Sequence, residues 1–245
     1  MFKVDLGRGA ELRPLEPWQA EEFLAHMDRA RAFVDPWIAW ASRSTTLQTA
    51  RKTLQRYADL QARGEGRILG IWLDGVLVGG VMAFNFDAYA DACEIGCWLE
   101  PAGTGRGLIT QASARLIDWL VTERAVHRVE WHCRPDNVAS SGVARRLGMT
   151  HEGTLRANFP WQGVRHDSQV WAVLAPEWSA RKDSQSPGGA KSQSSGHEGS
   201  QLSGGAESQS SGREGSQLSG GAESQSPGPE GSQLSGLEES SGPRA

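Results

Sequence analysis

Residues 94–120 read EIGCWLEPAGTGRGLITQASARLIDWL: an apolar strand, a turn with glycine at 103, 105 and 107, then an amphipathic helix. That order of parts builds an anion site. Glycines let the backbone approach a ligand with its N–H groups turned outward, and the positive end of the helix dipole adds to them. Each N–H to phosphate bond contributes roughly 1.5–3 kcal/mol and the helix terminus about 0.3–1 kcal/mol, so three or four such contacts hold a pyrophosphate. Two other glycine-rich turns fail on detail. A P-loop needs Lys-Ser or Lys-Thr after its last glycine, where this chain has Leu108-Ile109. A dinucleotide-binding fold places its turn near the start of a domain, among parallel strands.

Working outward, Arg67–Leu73, the dipeptide Asp74-Gly75 and Val76–Asn85 form a strong hairpin signal, and Ala92–Leu99 is a further strand. Before the hairpin, Glu11–Leu15 reads as an edge strand limited by Pro14. A helix runs from Pro17 to Ala30, an apolar connector (Phe33–Trp40) is broken by Pro36, and a second helix runs from Thr45 or Thr46 to Ala62. After the glycine turn come a helix over Thr110–Glu123, a strand over Arg128–Cys133 and a short helix over Ser140–Leu147 stopped by Gly148. Two strands, Thr150–Leu155 and Asp167–Leu174, flank a turn at Gln162-Gly163. Strands joined by single crossover helices imply an α+β (mixed α/β) fold, a mixed sheet with helices on its faces.

Composition sets the limits. Every Trp, Tyr, Phe, Met and Cys lies at or before Trp178. The remainder repeats with a period of sixteen: KSQSSGHEGSQLSGGA from Lys191, ESQSSGREGSQLSGGA from Glu207, ESQSPGPEGSQLSGLE from Glu223. One Leu per repeat cannot build a stacked core, and ordering about 65 residues costs on the order of 65–130 kcal/mol of backbone entropy. The expectation is a folded domain over 1–180 and a disordered Ser/Gly/Gln/Glu-rich tail over 181–245. Of the net charge of −4, the tail carries five basic and eight acidic residues and the body 20 and 21. A nearly neutral body argues against nucleic acid as a partner. Cys93, Cys97 and Cys133, with no secretory leader and no long apolar run, predict a cytoplasmic protein with reduced thiols, no membrane association and no metal site. A homodimer is left open.

A second block, CRPDNVASSGVARRLGMTHEG over 133–153, raises the specificity of the first. Together they resemble the GNAT superfamily of N-acetyltransferases, most closely its RimJ/RimL type, over residues 9–175. The resemblance implies a mixed, mostly antiparallel sheet that splays open between the strand ending at Leu99 and the strand ending at Cys133, with acetyl-CoA as co-substrate in the V. The backbone of Trp98 and Leu99 would then hold the acetyl and pantetheine groups. Gly105, Arg106, Gly107 and Leu108 would hold the pyrophosphate with Thr110 near it, and Asn137 and Ser140 would meet the pantetheine arm. The chain departs from the family at Ala102, where many members carry Gln or Arg, and at Ala144, which takes the place of the tyrosine that often serves as general acid.

With that place empty, Ser140 or Ser141 is the candidate donor to the leaving thiolate and Cys133 a weaker one. Glu94, which strand alternation puts on one face with Gly96 and Trp98, is the candidate base. The same alternation puts His132 opposite Cys133, and His132 and His127 read as satisfied or exposed side chains. Asn158, Trp161, Arg165 and His166 surround the last turn, where the resemblance implies the acceptor cleft. The expected reaction is acetyl transfer to a protein N-terminal α-amine, such as that of a ribosomal protein, by direct attack in a ternary complex. A small amine (amino acid, polyamine or antibiotic) is the alternative acceptor, and a non-catalytic CoA-binding tether is a third reading.

Overall fold

Turn chemistry sets the strands. In a computed structural model describing residues 3–38 and 40–185, Asp74 (φ 50°) and Gly75 (φ 82°) close the hairpin of the sequence reading. They join Arg67–Leu73 to Val76–Asp87 with Leu73 opposite Val76. In chain order the strands are β1 (Val4–Gly7), β2 (Ala10–Pro14), β3 (Arg67–Leu73), β4 (Val76–Asp87), β5 (Ala92–Leu99), β6 (Arg128–Cys133), β7 (Thr150–Trp161) and β8 (Val164–Leu174). The helices are α1 (Ala20–Val34), α2 (Trp40–Arg43), α3 (Leu47–Arg63), α4 (Leu108–Glu123), α5 (Val138–Arg146) and α6 (Ala175–Gln185).

The strands make one sheet in the order β1-β2-β3-β4-β5-β6-β8-β7, antiparallel throughout except for β5 against β6. That parallel pair needs a crossover, and α4 supplies it. Its register runs from Ala92 opposite Arg128 to Ile95 opposite Trp131 and stops. Beyond it β5 stays with β4 as far as Gly79 opposite Leu99, while β6 stays with β8 as far as Cys133 opposite Gln169. The sheet therefore opens into a V whose lips are Gly96–Leu99 and His132–Cys133.

Each face carries its own core. On one, Leu108, Ile109, Ala112, Leu116, Ile117 and Leu120 of α4 cover Val81, Ile95, Val129 and Trp131. On the other, Phe23 and Met27 of α1 and Leu54 of α3 cover Ile68, Trp72, Met82 and Trp98. Each Leu, Ile, Val, Phe or Met among them contributes roughly 1.5–3 kcal/mol by leaving water. Alternation along β5 is as the sequence predicts: Cys93 and Ile95 point to the α4 side, Trp98 to the α1/α3 side.

Several boundaries moved, each for a local reason. β1, absent from the sequence reading, pairs with β2 through a turn of three left-handed residues, Gly7, Arg8 and Gly9. α1 starts after a 3-10 turn at Pro17–Gln19 and runs four residues past Ala30. α4 begins two residues before Thr110, directly after left-handed Gly107, and α5 begins at Val138 because Asn137 caps it. β7 and β8 continue to the very edge of the Gln162-Gly163 turn. α6 crosses the 180/181 boundary drawn from composition. The repeat tail lies outside the described residues from 186 onward. No helix among the described residues is long and apolar enough to cross a membrane.

Candidate active site

The glycine turn is built as its spacing predicts. Gly105 (φ 74°) and Gly107 (φ 72°) both adopt the left-handed conformation that a side chain would strain. Gly107 is the N-cap of α4 and brings no side chain, so the first amides of that helix keep their donors available. This is the N-terminus that the anion reading requires, at the end of the β5 lip. Leu108 is buried, so its backbone alone can meet a ligand there, while Arg106 is exposed on the turn. Thr110, one turn in, accepts a hydrogen bond from Nε of Arg146 on α5 at 3.2 Å. That places a second guanidinium beside the helix start, a residue the sequence reading did not single out.

The β5 lip is fixed from behind by a buried polar chain. The Trp98 indole N–H donates to Nε2 of His26 on α1 at 3.0 Å, and His26 Nδ1 meets Oε2 of Glu100 at 3.1 Å. The indole is only a donor, so Nε2 must be the acceptor and Nδ1 carries the proton given to Glu100. Arg29 completes the chain, donating from Nε to Glu100 at 3.1 Å and from Nη2 to the Leu77 carbonyl at 2.8 Å. His26 is fully buried, and burial lowers its pKa to about 4 against the pull of Glu100. This chain joins positions 71 to 74 residues apart, and no spacing rule could have found it.

The β6 lip is wetter. Asn137 caps α5 through Oδ1, which accepts from the Ser140 amide at 3.1 Å. The Ser140 hydroxyl accepts from the Trp131 indole at 2.9 Å, and because that indole is donor-only the Ser140 hydrogen is left to donate elsewhere. Within the fold that hydrogen meets the Cys133 sulfur, a weak acceptor, and together with Trp171 it opposes the larger rise that burial gives the Cys133 pKa. Ser141 differs from its neighbour: it is buried and its hydroxyl donates to the Val138 carbonyl at 3.2 Å. Ala144, in the place of the family's tyrosine, is fully buried in the α4-side core.

On the α1/α3 face of the V stand the titratable groups. Glu94 is half-buried, and burial raises its pKa while nearby His132 and a 3.1 Å hydrogen bond from Asn85 oppose the rise. Asn85 reaches it from a bulge in β4, where its φ of 52° and a register shift after Phe84 turn its side chain. Glu130 lies opposite Glu94 across the parallel pair. It bonds Nε2 of His132 at 2.9 Å and Nε of Arg128 at 2.7 Å, and these contacts lower its pKa to about 2. Arg128 also takes Glu152 in a two-pronged bond of 2.8 and 2.5 Å. At the mouth, the Arg134 guanidinium stacks on Trp37, 5.0 Å from its centroid, and pairs with Asp136. The connector after α1 thus touches the loop after β6. Of the last-turn residues, Phe159 pairs with His166 and Pro160 with Arg165 on the β7–β8 arm, and His166 lies close enough to lower the Asp136 pKa slightly, behind Arg134. Among the described residues no group of His, Cys, Asp and Glu is assembled to hold a metal ion.

A mixed sheet split between two parallel strands, with an open helix N-terminus closing one lip and titratable side chains beyond the other, defines an acyl-CoA-dependent transferase. The acetyltransferase (GNAT) domain family matches residues 10–150, and the chain belongs to it; it is an acetyl-CoA-dependent N-acetyltransferase. It is 29% identical over 187 residues to a Bacillus subtilis protein named "Putative ribosomal N-acetyltransferase YdaF", covering 74% of this chain and all of that one. Bacillus subtilis "Probable N-acetyltransferase YjcK" is 31% identical, over 70% of this chain and 97% of its own. A solved structure described as RimL, ribosomal L7/L12 alpha-N-protein acetyltransferase in complex with coenzyme A, shares the fold at a TM-score of 0.67, with 24% identity over 70% of this chain and 97% of that one.

Proposed function

We propose that this enzyme acetylates the N-terminal α-amine of a protein, with a ribosomal protein as the acceptor class, by direct attack of the amine on acetyl-CoA in a ternary complex. The observation that carries the reading is the V itself: a glycine turn and a helix N-terminus without a side-chain cap on one lip and, on the α1/α3 face beside the opening, the carboxylates of Glu94 and Glu130. The names of its relatives support the acceptor class, since one is called a putative ribosomal N-acetyltransferase and another, from Escherichia coli, a ribosomal-protein-serine acetyltransferase.

In this reading the amides of Gly105 to Leu108 hold the pyrophosphate, with Arg106 on the turn and Thr110 one turn inside. The backbone of Trp98 and Leu99, which has no strand beside it on the β6 side, holds the pantetheine and the acetyl carbonyl. Asn137 and Ser140 meet the pantetheine arm from the β6 lip. Glu94 meets the incoming ammonium and draws its proton directly or through a water. Ser140 gives a proton to the leaving sulfur. Ser141, whose hydroxyl is already committed to its own helix, ranks behind it.

The acceptor preference follows from proton chemistry. An α-amine of pKa 7.7–8.0 is about one-tenth neutral at pH 7, whereas lysine near 10.4 is neutral in roughly one part in 2,500. A site with half-buried carboxylates and no strong base therefore serves the α-amine. The test is CoA release from acetyl-CoA with Ser- and Ala-initiated peptides, the same peptides blocked at the α-amine, free amino acids, polyamines and aminoglycosides. Turnover confined to unblocked peptides is expected; turnover confined to the small amines would overturn the acceptor class.

A further inference from the structure

The acceptor face holds one group that the roles above do not use. His132 is the first side chain of β6 on that face past the last paired residues, Ile95 and Trp131. Across the opening from it stands Gly96, which puts no side chain of its own between Glu94 and Trp98 on the facing lip; Phe84 and Met82 of β4 pack against it. Glu130 accepts from the ring's Nε2–H at 2.9 Å, which fixes the tautomer and leaves Nδ1 with its lone pair and no partner among the described residues. The ring is 26% exposed, so a proton taken there can leave to solvent. A carboxylate that orients and charge-balances an imidazole over a cleft is the arrangement general-base chemistry needs.

We propose that His132, held by Glu130, is the proton acceptor for the attacking amine, with Glu94 as the counter-charge that draws in the ammonium. The inference rests on acetyl-CoA lying in the V and moves the proton from Glu94, the base of the reading above, to His132, leaving Glu94 to meet the ammonium. Nδ1 forms an N–H bond with a proton leaving the ammonium, directly or through one water. The freed nitrogen pair forms the C–N bond, and the C–S bond breaks with its electrons on sulfur. The second amine proton goes to sulfur through the Ser140 hydroxyl, giving amide and CoA thiol. The proton on His132 is then released to solvent.

The surrounding charges favour this role. Glu130 on its own strand and Glu94 on β5 raise the His132 pKa, while its burial and Arg128 oppose them; Arg128 is itself occupied by Glu152 of β7. The β8 neighbours on that stretch, Val170 and Ala172, carry no charge. A carboxylate alone is poorly matched to an amine titrating near 8, and an imidazole raised above 6.5 is far better matched.

The test is the pH profile of kcat and kcat/KM for the full chain with an Ser-initiated peptide, or with whichever amine the panel shows to react. For wild type, kcat should rise tenfold per pH unit below an inflection above 6.5. His132→Gln keeps a donor for Glu130 but cannot take the proton; it should lower kcat by roughly a hundredfold at pH 7 with KM for acetyl-CoA within about twofold, and the deficit should shrink above the amine pKa. Glu130→Gln should move the inflection to lower pH while keeping CoA affinity. Should His132→Gln not fold, that shift carries the test alone. The proposal is overturned if His132→Gln keeps kcat and the inflection, or if Glu130→Gln leaves the inflection in place. Loss of CoA binding by wild type would instead strike at the cofactor site itself.

Discussion

The two lips of the V are built from opposite materials. Behind β5 stands a chain of buried hydrogen bonds, Trp98 to His26 to Glu100 to Arg29, with His26, Trp98 and Glu100 each under 5% exposed. Beside β6 stand half-exposed groups, His132, Glu130 and Ser140, that can exchange protons with water. In the proposed mechanism the fixed lip holds the cofactor and the wet one handles protons. The difference locates function where the sheet ladder ends. A strand that loses its neighbour needs support from behind, whereas the chemistry needs groups that titrate.

Breaking the support should give the largest effects. Glu100→Ala leaves the buried, neutral His26 without an acceptor for its N–H and should cost up to about 3 kcal/mol, the upper end for an unpaired buried donor, while Arg29 can turn to solvent; equilibrium urea unfolding measures it. A loss below about 1 kcal/mol would mean that the lip does not depend on this chain. The same chain makes stability pH-dependent. The His26 pKa is depressed, so its contribution is complete above 6.5 and declines as pH falls from 6.5 to 4, where the unfolded chain takes up the proton first. About 3 kcal/mol should disappear across that window, and His26→Gln should flatten the slope.

Gly105→Glu tests the anchor. It adds a negative charge and a side chain at a left-handed position, and should weaken CoA binding by roughly a hundredfold in calorimetry, about 2.7 kcal/mol. The wet lip is read by its two serines. Ser140→Ala should slow turnover by about tenfold without abolishing it, because a thiolate with free pKa near 8.5 leaves tolerably unaided. Ser141→Ala should change kcat by less than about twofold, and equal effects from both would contradict the assignment of the hydroxyls.

The fixed parts of the fold were the more legible ones. The Asp74-Gly75 hairpin, the Thr46 cap of α3 and the start of α4 at the glycine turn follow from local chemistry, because a left-handed residue or a capping hydroxyl acts within a few positions. β1 escaped because four residues give too short an alternation, and α6 because Pro176, Ser179 and charged residues hide a helix whose Trp178 packs into the core. In the candidate site, the shape of the turn before α4 was readable from glycine spacing, and the face that Glu94 takes from alternation. The support behind Trp98 was not, since it joins a helix near residue 26 to a carboxylate at 100. His132 was visible as a residue but not as a candidate base, because only the register shows that its strand has already lost its partner there.

In the proposed reaction acetyl-CoA and the acceptor amine meet between these two lips. The most direct measurement is a crystal structure with a bisubstrate analogue, CoA joined through its sulfur to the α-amine of a short Ser-initiated peptide. The pyrophosphate is expected on the amides of 105–108, the linker between the Trp98 backbone and Ser140, and the peptide nitrogen within one water of His132 and Glu94. A peptide lying on the α4 side of the sheet, or a nitrogen out of reach of both side chains, would contradict it.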